Sequence, residues 1–183
     1  MKSMAGRLLV ASPKMASPIF ARSVILVLQH TDEGAVGLIL NRPLPATVEG
    51  LWGQLGAPAC DNQAQVHLGG PVSGPVTALH ALPALGEARV PPGLYVAQNK
   101  EHLDQLVRNL DVPYRVFVGH AGWSRGQLEQ EIQQGSWHIM AADREHVLGD
   151  HDDLWLTAMR QVGHRFLRET LKIKAIPANP TLN

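Results

Sequence analysis

Two apolar runs separated by a turn constrain this chain more than any other feature. Residues 23–29 read Ser-Val-Ile-Leu-Val-Leu-Gln, and residues 35–40 read Ala-Val-Gly-Leu-Ile-Leu. Neither alternates polar with apolar positions, so each predicts a strand covered on both faces. Thr31-Asp32-Glu33-Gly34 between them is turn chemistry, which makes the pair a hairpin. Gly37 in mid-strand predicts a bulge or a close crossing. Strands and helices are partly segregated along the rest of the chain. The expected class is therefore α+β, with a mixed, mainly antiparallel sheet rather than a doubly wound parallel one.

Punctuation places the other elements. Arg7–Ala11 reads as a first strand, and Asn41-Arg42-Pro43-Leu44-Pro45 as the end of the hairpin, since proline cannot continue a ladder. A short helix is expected over 48–55, with Gly56 as its stop. Gln65–Leu68, residues 76–82 and Leu94–Ala97 read as strands, and residues 83–92 as a loop rich in breakers. Asn99 predicts the N-cap of a helix over 100–110, where Leu103, Leu106, Val107 and Leu110 form one apolar face. Residues 136–141 read as a strand. Asp143 caps a single turn, Arg144–Leu148, and Asp152 or Asp153 a longer helix from 154 to about 166.

The stretch from Arg115 to Gln134 carries the densest local signal. Val116-Phe117-Val118 is strand-like, and Gly119 and Gly122 permit a tight turn. Ser124 then fits an N-cap, with Gln127 at the capping-box position and Trp123 and Leu128 at the two places of a hydrophobic staple. Leu128 and Ile132, one turn apart, are expected to face the core, and Gly135 to end the helix.

Composition narrows the function. A chain of 183 residues suits one domain, residues 1–183, with 1–6 and 172–183 as loose ends. Lys+Arg and Asp+Glu both number 16, so the formal net charge is zero and counterion release does not favour nucleic acid as a partner. The one cysteine, Cys60, excludes an intramolecular disulfide and a thiolate zinc cluster. No stretch approaches the roughly 20 apolar residues of a membrane helix, so a cytoplasmic location without membrane contact is expected.

Several motifs hint at chemistry. Gly122-Trp123-Ser124-Arg125-Gly126 matches G-x-S-x-G between an expected strand and helix, and Asp143, Asp150 or Asp152 followed by His164 would complete a triad order. The same Ser124 fits a helix cap, which Gln127 and Leu128 support independently, and the chain is short for a many-stranded hydrolase sheet. The histidines at 30, 67, 80, 120 and 138 lie on or beside expected strands without tight ligand spacing, so no metal is expected. His146, His151, Asp152 and Asp153 read as a solvated run. Cys60 has no basic neighbour, Gly69-Gly70-Pro71 lacks the lysine of a phosphate loop, and Glu129 and Glu131 do not share a helix face and read as solvated. Asn41-Arg42 differs: two polar side chains follow a wholly apolar strand. There Arg42 could clamp a carboxylate or phosphate, or else pair within the structure.

Three blocks together resemble the AlgH/YqgE family of bacterial proteins, which have no established molecular activity. The first runs from Ala11-Ser12-Pro13-Lys14-Met15 through Phe20, Ser23-Val24, His30, Gly34-Ala35 and Gly37-Leu38 to Asn41-Arg42-Pro43. The second is Gly69-Gly70-Pro71-Val72 with Leu79-His80. The third is Gly119, Ala121-Gly122-Trp123, Gly126-Gln127-Leu128-Glu129, Glu131 and Trp137. Ser17 stands where the family usually has Asp, and His120 where it usually has Tyr. The family leaves the Ser124 position open, which weakens the elbow reading. The resemblance implies a split sheet curled toward a pseudo-barrel and, through a link to alginate regulation, a regulatory role.

The expected function is thus a cytoplasmic binding or regulatory module, without cofactor, for a protein or small-molecule partner. Asn41, Arg42, His80, Trp123 and Gln127 are its candidate ligand-binding residues. A hydrolase using Ser124 or a histidine-bound metal is the alternative. Convergence of Arg42, His80 and Trp123 on one cleft would support a single site.

Overall fold

The computed structural model describes residues 3–109, 111–149 and 153–171. The chain opens with β1 (Arg7–Ala11), β2 (Val24–Thr31), β3 (Gly34–Ile39) and β4 (Pro43–Thr47), followed by α1 (Val48–Gln54). Then come β5 (Gln65–Leu68), β6 (Thr77–His80), β7 (Ala88–Val90) and β8 (Leu94–Ala97), with α2 (Lys100–Arg108) after them. The last third holds β9 (Tyr114–Val118), β10 (Ala121–Ser124), α3 (Gln127–Gln133), β11 (Trp137–Ala141), α4 (Arg144–Leu148) and α5 (Leu154–Leu171).

The strands form two sheets. One has the order β10-β3-β2-β1-β11 and is antiparallel throughout. The other has the order β4-β5-β9-β6-β8-β7, and only its β5–β9 pair is parallel. The fold is the mixed, mainly antiparallel α+β arrangement the sequence predicts. Neither sheet closes into a barrel.

The β2–β3 hairpin lies at the middle of the first sheet, and its burial explains its composition. Alternate residues serve two cores. Leu26 and Leu38 join Leu8, Leu79, Phe117 and Leu154 between the sheets. Ile25, Val27 and Ile39 join Trp123, Leu128 and Trp137 under α3. A strand buried on both faces has no position left for a polar residue. The register shifts between Val27 and Gln29, opposite Val36 and Gly37, where the mid-strand glycine predicted a bulge. A third core packs α1 and α2 on the far face of the second sheet, through Trp52, Leu103, Leu106 and Val107. Leu110, expected on that face, lies outside the described residues.

The two sheets meet at a glycine crossing. Gly69 donates to Val118 and accepts from Ile39, both at 2.8 Å, so one residue links both sheets. Gly119 turns the chain at φ +71°, and a Cβ there would stand 2.5 Å from the Gly70 carbonyl oxygen. The Gly69-Gly70-Pro71 motif therefore serves close backbone approach.

Several expectations are corrected. The hairpin strand β3 stops at Ile39, before Asn41–Pro45 as expected, but a further strand not expected there, β4, runs through Pro43 and Pro45. It pairs irregularly with β5 as an edge strand, where a missing N–H is tolerated. The expected loop over 83–92 holds a 3-10 turn, Pro83–Leu85, and the edge strand β7, too short to show a period. Ser3 to Gly6 are not loose: Gly6 donates to Val27 at 2.8 Å, and the Met4 amide to His30 Nδ1 at 3.1 Å. The caps expected at Asn99, Asp143 and Asp153 each accept a backbone N–H of the first turn. Residues 1–2 and 172–183, with Asp150, His151 and Asp152, lie outside the described residues. Among the described residues no helix is long and apolar enough to cross a membrane.

Candidate functional site

The residues after β3 build the floor of a cleft. Asn41 ties the end of β3 back to the start of β2. Its Oδ1 accepts from the Val24 amide at 3.0 Å, and its Nδ2 donates to the Arg22 carbonyl at 2.9 Å. Arg22 is the one non-glycine residue with positive φ among those described, at +55°. A left-handed residue there is uncommon, and the Asn41 amide holds its carbonyl in place. Arg42 follows, and its guanidinium donates to the Asn41 carbonyl at 3.2 Å and to the Ala21 carbonyl. No carboxylate pairs with Arg42 among the described residues. Desolvation by burial, then the charge of Arg22, pulls its pKa below the usual guanidinium value.

Three further side chains complete the cleft, which encloses about 590 Å³. Arg22 pairs with Asp153 at 3.0 Å and lies 5.0 Å from the Trp155 ring centroid, within cation–π range. Arg115 enters from β9 and donates to the carbonyls of Leu40, at 3.1 Å, and Gly149. His67 enters from β5 with its ring tilted against Phe117. Burial, with the Arg115 charge adding to it, pushes His67 down to about 4, so its imidazole is neutral at pH 7. Pro43 supplies an exposed apolar edge, with Leu40 and Leu154 buried behind the lining. The arrangement offers guanidinium and imidazole donors beside a strip of hydrocarbon, suited to an anionic head on an organic body.

The five residues singled out by sequence occupy three places. Asn41 and Arg42 share the cleft. His80 is fully buried in β6, stacked with Tyr95, and its Nδ1 accepts from the Leu82 amide at 3.2 Å. Trp123 of β10 and Gln127 of α3 both bond to Glu131. Glu131 Oε2 accepts the Trp123 indole N–H at 2.9 Å and the Trp137 indole N–H at 2.7 Å. Its Oε1 accepts from Gln127 Nε2 at 2.9 Å. His80, Trp123 and Gln127 do not line the cleft around Arg42.

That region corrects the expected helix start. Ala121–Ser124 is a strand paired with β3, and the left-handed Gly126 occupies the N-cap of α3. Ser124 ends β10, and its N–H and hydroxyl both donate to Gln127 Oε1, at 3.0 and 3.1 Å. Only the returning half of the capping box survives. The acids expected to be solvated are engaged. Glu131 holds two indoles, and Glu129 Oε1 lies 2.7 Å from His30 Nε2. The Glu129 backbone N–H first, outweighing desolvation, and then His30 hold that carboxyl below its usual pKa. The His146–Asp143 contact, at 2.7 Å, likewise replaces part of the expected solvated run. Among the described residues no three His, Cys, Asp or Glu side chains gather as a metal site.

Sequence reasoning missed Arg22, His67 and Arg115 as cleft residues. Arg115 had a readable signal: a charge within an otherwise apolar strand run needs partners. Nothing in the local pattern relates residue 22 to residue 115.

The sequence matches the AlgH-like family over residues 8–167. The chain belongs to that family. A UPF0301 protein of Myxococcus xanthus is 40% identical over 169 residues, covering 89% of this chain and 93% of its own. A UPF0301 protein of Chlorobaculum tepidum is 35% identical over 173 residues, covering 88% of each chain. The solution structure of the Pseudomonas aeruginosa AlgH protein superposes with a TM-score of 0.77 at 26% identity, covering 97% of each chain. A Corynebacterium diphtheriae crystal structure gives 0.72 at 28% identity over 88% of each. The two-sheet AlgH-like fold is thus common to chains that share about a quarter of their residues.

Proposed function

We propose that this AlgH-like chain is a cytoplasmic binding module without catalysis of its own, and that it holds an anionic group in the Arg22–Arg42–Arg115 cleft. One observation carries the reading. Arg42 is a partly buried cation whose partners among the described residues are two neutral carbonyls. A guanidinium taken out of water without a counter-charge is costly, and natural interiors pair such groups. Here carbonyls orient the fork while the opposing charge is left to a ligand. The left-handed Arg22 backbone supports the same reading, because strain of this kind collects at binding sites. The regulatory role implied by the resemblance would then follow from occupancy of the cleft. The cytoplasmic setting is part of the proposal, supported by one buried cysteine that cannot form an intramolecular disulfide.

Calorimetric titration of the full chain with phosphate, sulfate, citrate and acetate tests this, repeated with Arg42→Ala and with Gln127→Ala as a distant control. Saturable binding should vanish in the first variant and persist in the second. No binding of any anion, or equal binding by Arg42→Ala, overturns the proposal.

A further inference from the structure

Resting on the binding reading above, we infer that the cleft takes the dianionic phosphate of a small phosphomonoester, and that His67 donates one of the hydrogen bonds that hold it. The donors come from three separate stretches: the loop before β2, the joint between β3 and β4, and the middle sheet strand β9. A planar carboxylate has two oxygens and meets one guanidinium fork edge-on. A phosphomonoester has three terminal oxygens in a tetrahedral array and carries a charge of about −1.5 to −2 at pH 7. It can therefore meet donors that arrive from several directions.

The charges point the same way. Burial first and the Arg22 charge second disfavour the Arg42 cation, and a doubly charged group between the two guanidinium groups offsets their repulsion better than a single charge. Asp153 already holds Arg22 from one side, at 3.0 Å, so the ligand must compete from the other. His67 lines the cleft together with Arg115 and Arg42, and its buried Nδ1 has no hydrogen-bond partner among the described residues. A neutral imidazole adds a donor without a fourth repelling charge beside the three guanidinium groups.

Size and surface limit the rest of the molecule. About 590 Å³ falls among ordinary small-molecule sites. Pro43 offers an exposed apolar edge to the organic part. A nucleic-acid backbone fits less well, because a chain of zero net charge gains little from releasing counterions.

The test compares phenyl phosphate with benzoate, which share their aromatic body and differ in the head group. Both are titrated into the full-length protein at pH 5.5 and pH 7.5 and followed by amide NMR shifts. A single-stranded oligonucleotide is titrated at each salt concentration used. Phenyl phosphate should bind about tenfold more tightly than benzoate and gain severalfold from pH 5.5 to 7.5, as its second proton leaves near pH 6. His67 is neutral at both pH values, so it does not generate that gain. Arg42→Ala should abolish the difference. Arg22→Gln, at an exposed side chain with no part in the core, should weaken phosphate more than benzoate and guards against a folding defect. His67→Phe should weaken phosphate severalfold with its pH gain intact. Benzoate binding as tightly as phenyl phosphate overturns the phosphate assignment and leaves an anion cleft. Binding of neither overturns both readings, and salt-sensitive binding of the oligonucleotide alone replaces both with nucleic acid.

Discussion

Beneath α3, the Glu131 carboxylate accepts two indole N–H groups, at 2.9 and 2.7 Å, and the Gln127 amide at 2.9 Å. Around Arg42, the guanidinium fork reaches two carbonyls and no carboxylate of the described residues. Both regions take a charged side chain from the chain's most specific motifs and partly bury it. The first completes its hydrogen bonds within the protein and so behaves as a joint between β10, β11 and α3. The second has only neutral partners among the described residues, and on the proposed reading a ligand completes it. The comparison teaches that burial of a charged motif residue does not mark a binding site. A charge whose partners are all neutral is the better mark.

The sharpest way to break this contrast is Glu131→Ala. It strands two buried indole donors at once, and removing a charge-assisted acceptor of this kind should cost about 2–4 kcal/mol in urea unfolding. Glu131→Gln, which keeps one acceptor oxygen, should lose less than half of that. A loss below about 1 kcal/mol for the alanine variant would mean that the clamp is not completing anything.

At Arg42 the expected pattern is reversed. Arg42→Ala should abolish anion binding while changing stability by no more than about 1 kcal/mol, because the cost of burying the cation disappears with its hydrogen bonds. A large loss of stability would make Arg42 a structural residue like Glu131, and the contrast would fail.

A smaller effect sharpens the electrostatics. The His67 pKa is near 6.5 when unfolded and about 4 in the fold, so between those values the unfolded chain binds more protons. Stability of the free protein should therefore fall as pH drops from 6.5 toward 4, with no further contribution from His67 below that and none above 6.5. The difference between wild type and His67→Gln across this window isolates the group from the carboxylates. Equal pH profiles would show that His67 is not held neutral by the cleft.

The smallest effect is expected at Ser124. Its hydroxyl donates to Gln127, which the backbone N–H of Ser124 also holds, so Ser124→Ala should cost roughly 0.5 kcal/mol. A serine-reactive fluorophosphonate should label neither protein. Labelling of the wild type but not of Ser124→Ala would revive the hydrolase reading and displace the non-catalytic one.

The legible parts of this fold share one property: their cause lies within a few residues. The two apolar runs of the hairpin show their double burial directly. Asn99, Asp143 and Asp153 cap helices through N–H groups two or three residues away. Leu103, Leu106 and Val107 share a face by helical geometry alone. The misreadings begin where a distant segment intervenes. Ala121-Gly122-Trp123-Ser124 looks like a turn and cap until β3 arrives to pair with it. Pro43 and Pro45 look like a terminator until β5 offers an edge. Glu131 looks solvated until Trp123 and Trp137 bring their indoles from two strands.

The candidate site follows the same division. Asn41-Arg42 stands out because polar side chains directly after a covered strand require an explanation, and that much is local. Meeting Arg22, His67 and Arg115 there depends on the order β4-β5-β9 in one sheet and on β2 and β3 lying beside each other in the other. Amino-acid order alone settled most of the strands and helices, though not β4, β7 or β10, because capping and side-chain period act over one turn or one pleat. Only tertiary structure decided which charges share a hollow. Such contacts join residues tens of positions apart, and they exist only after the sheets have packed and crossed at Gly69 and Gly119.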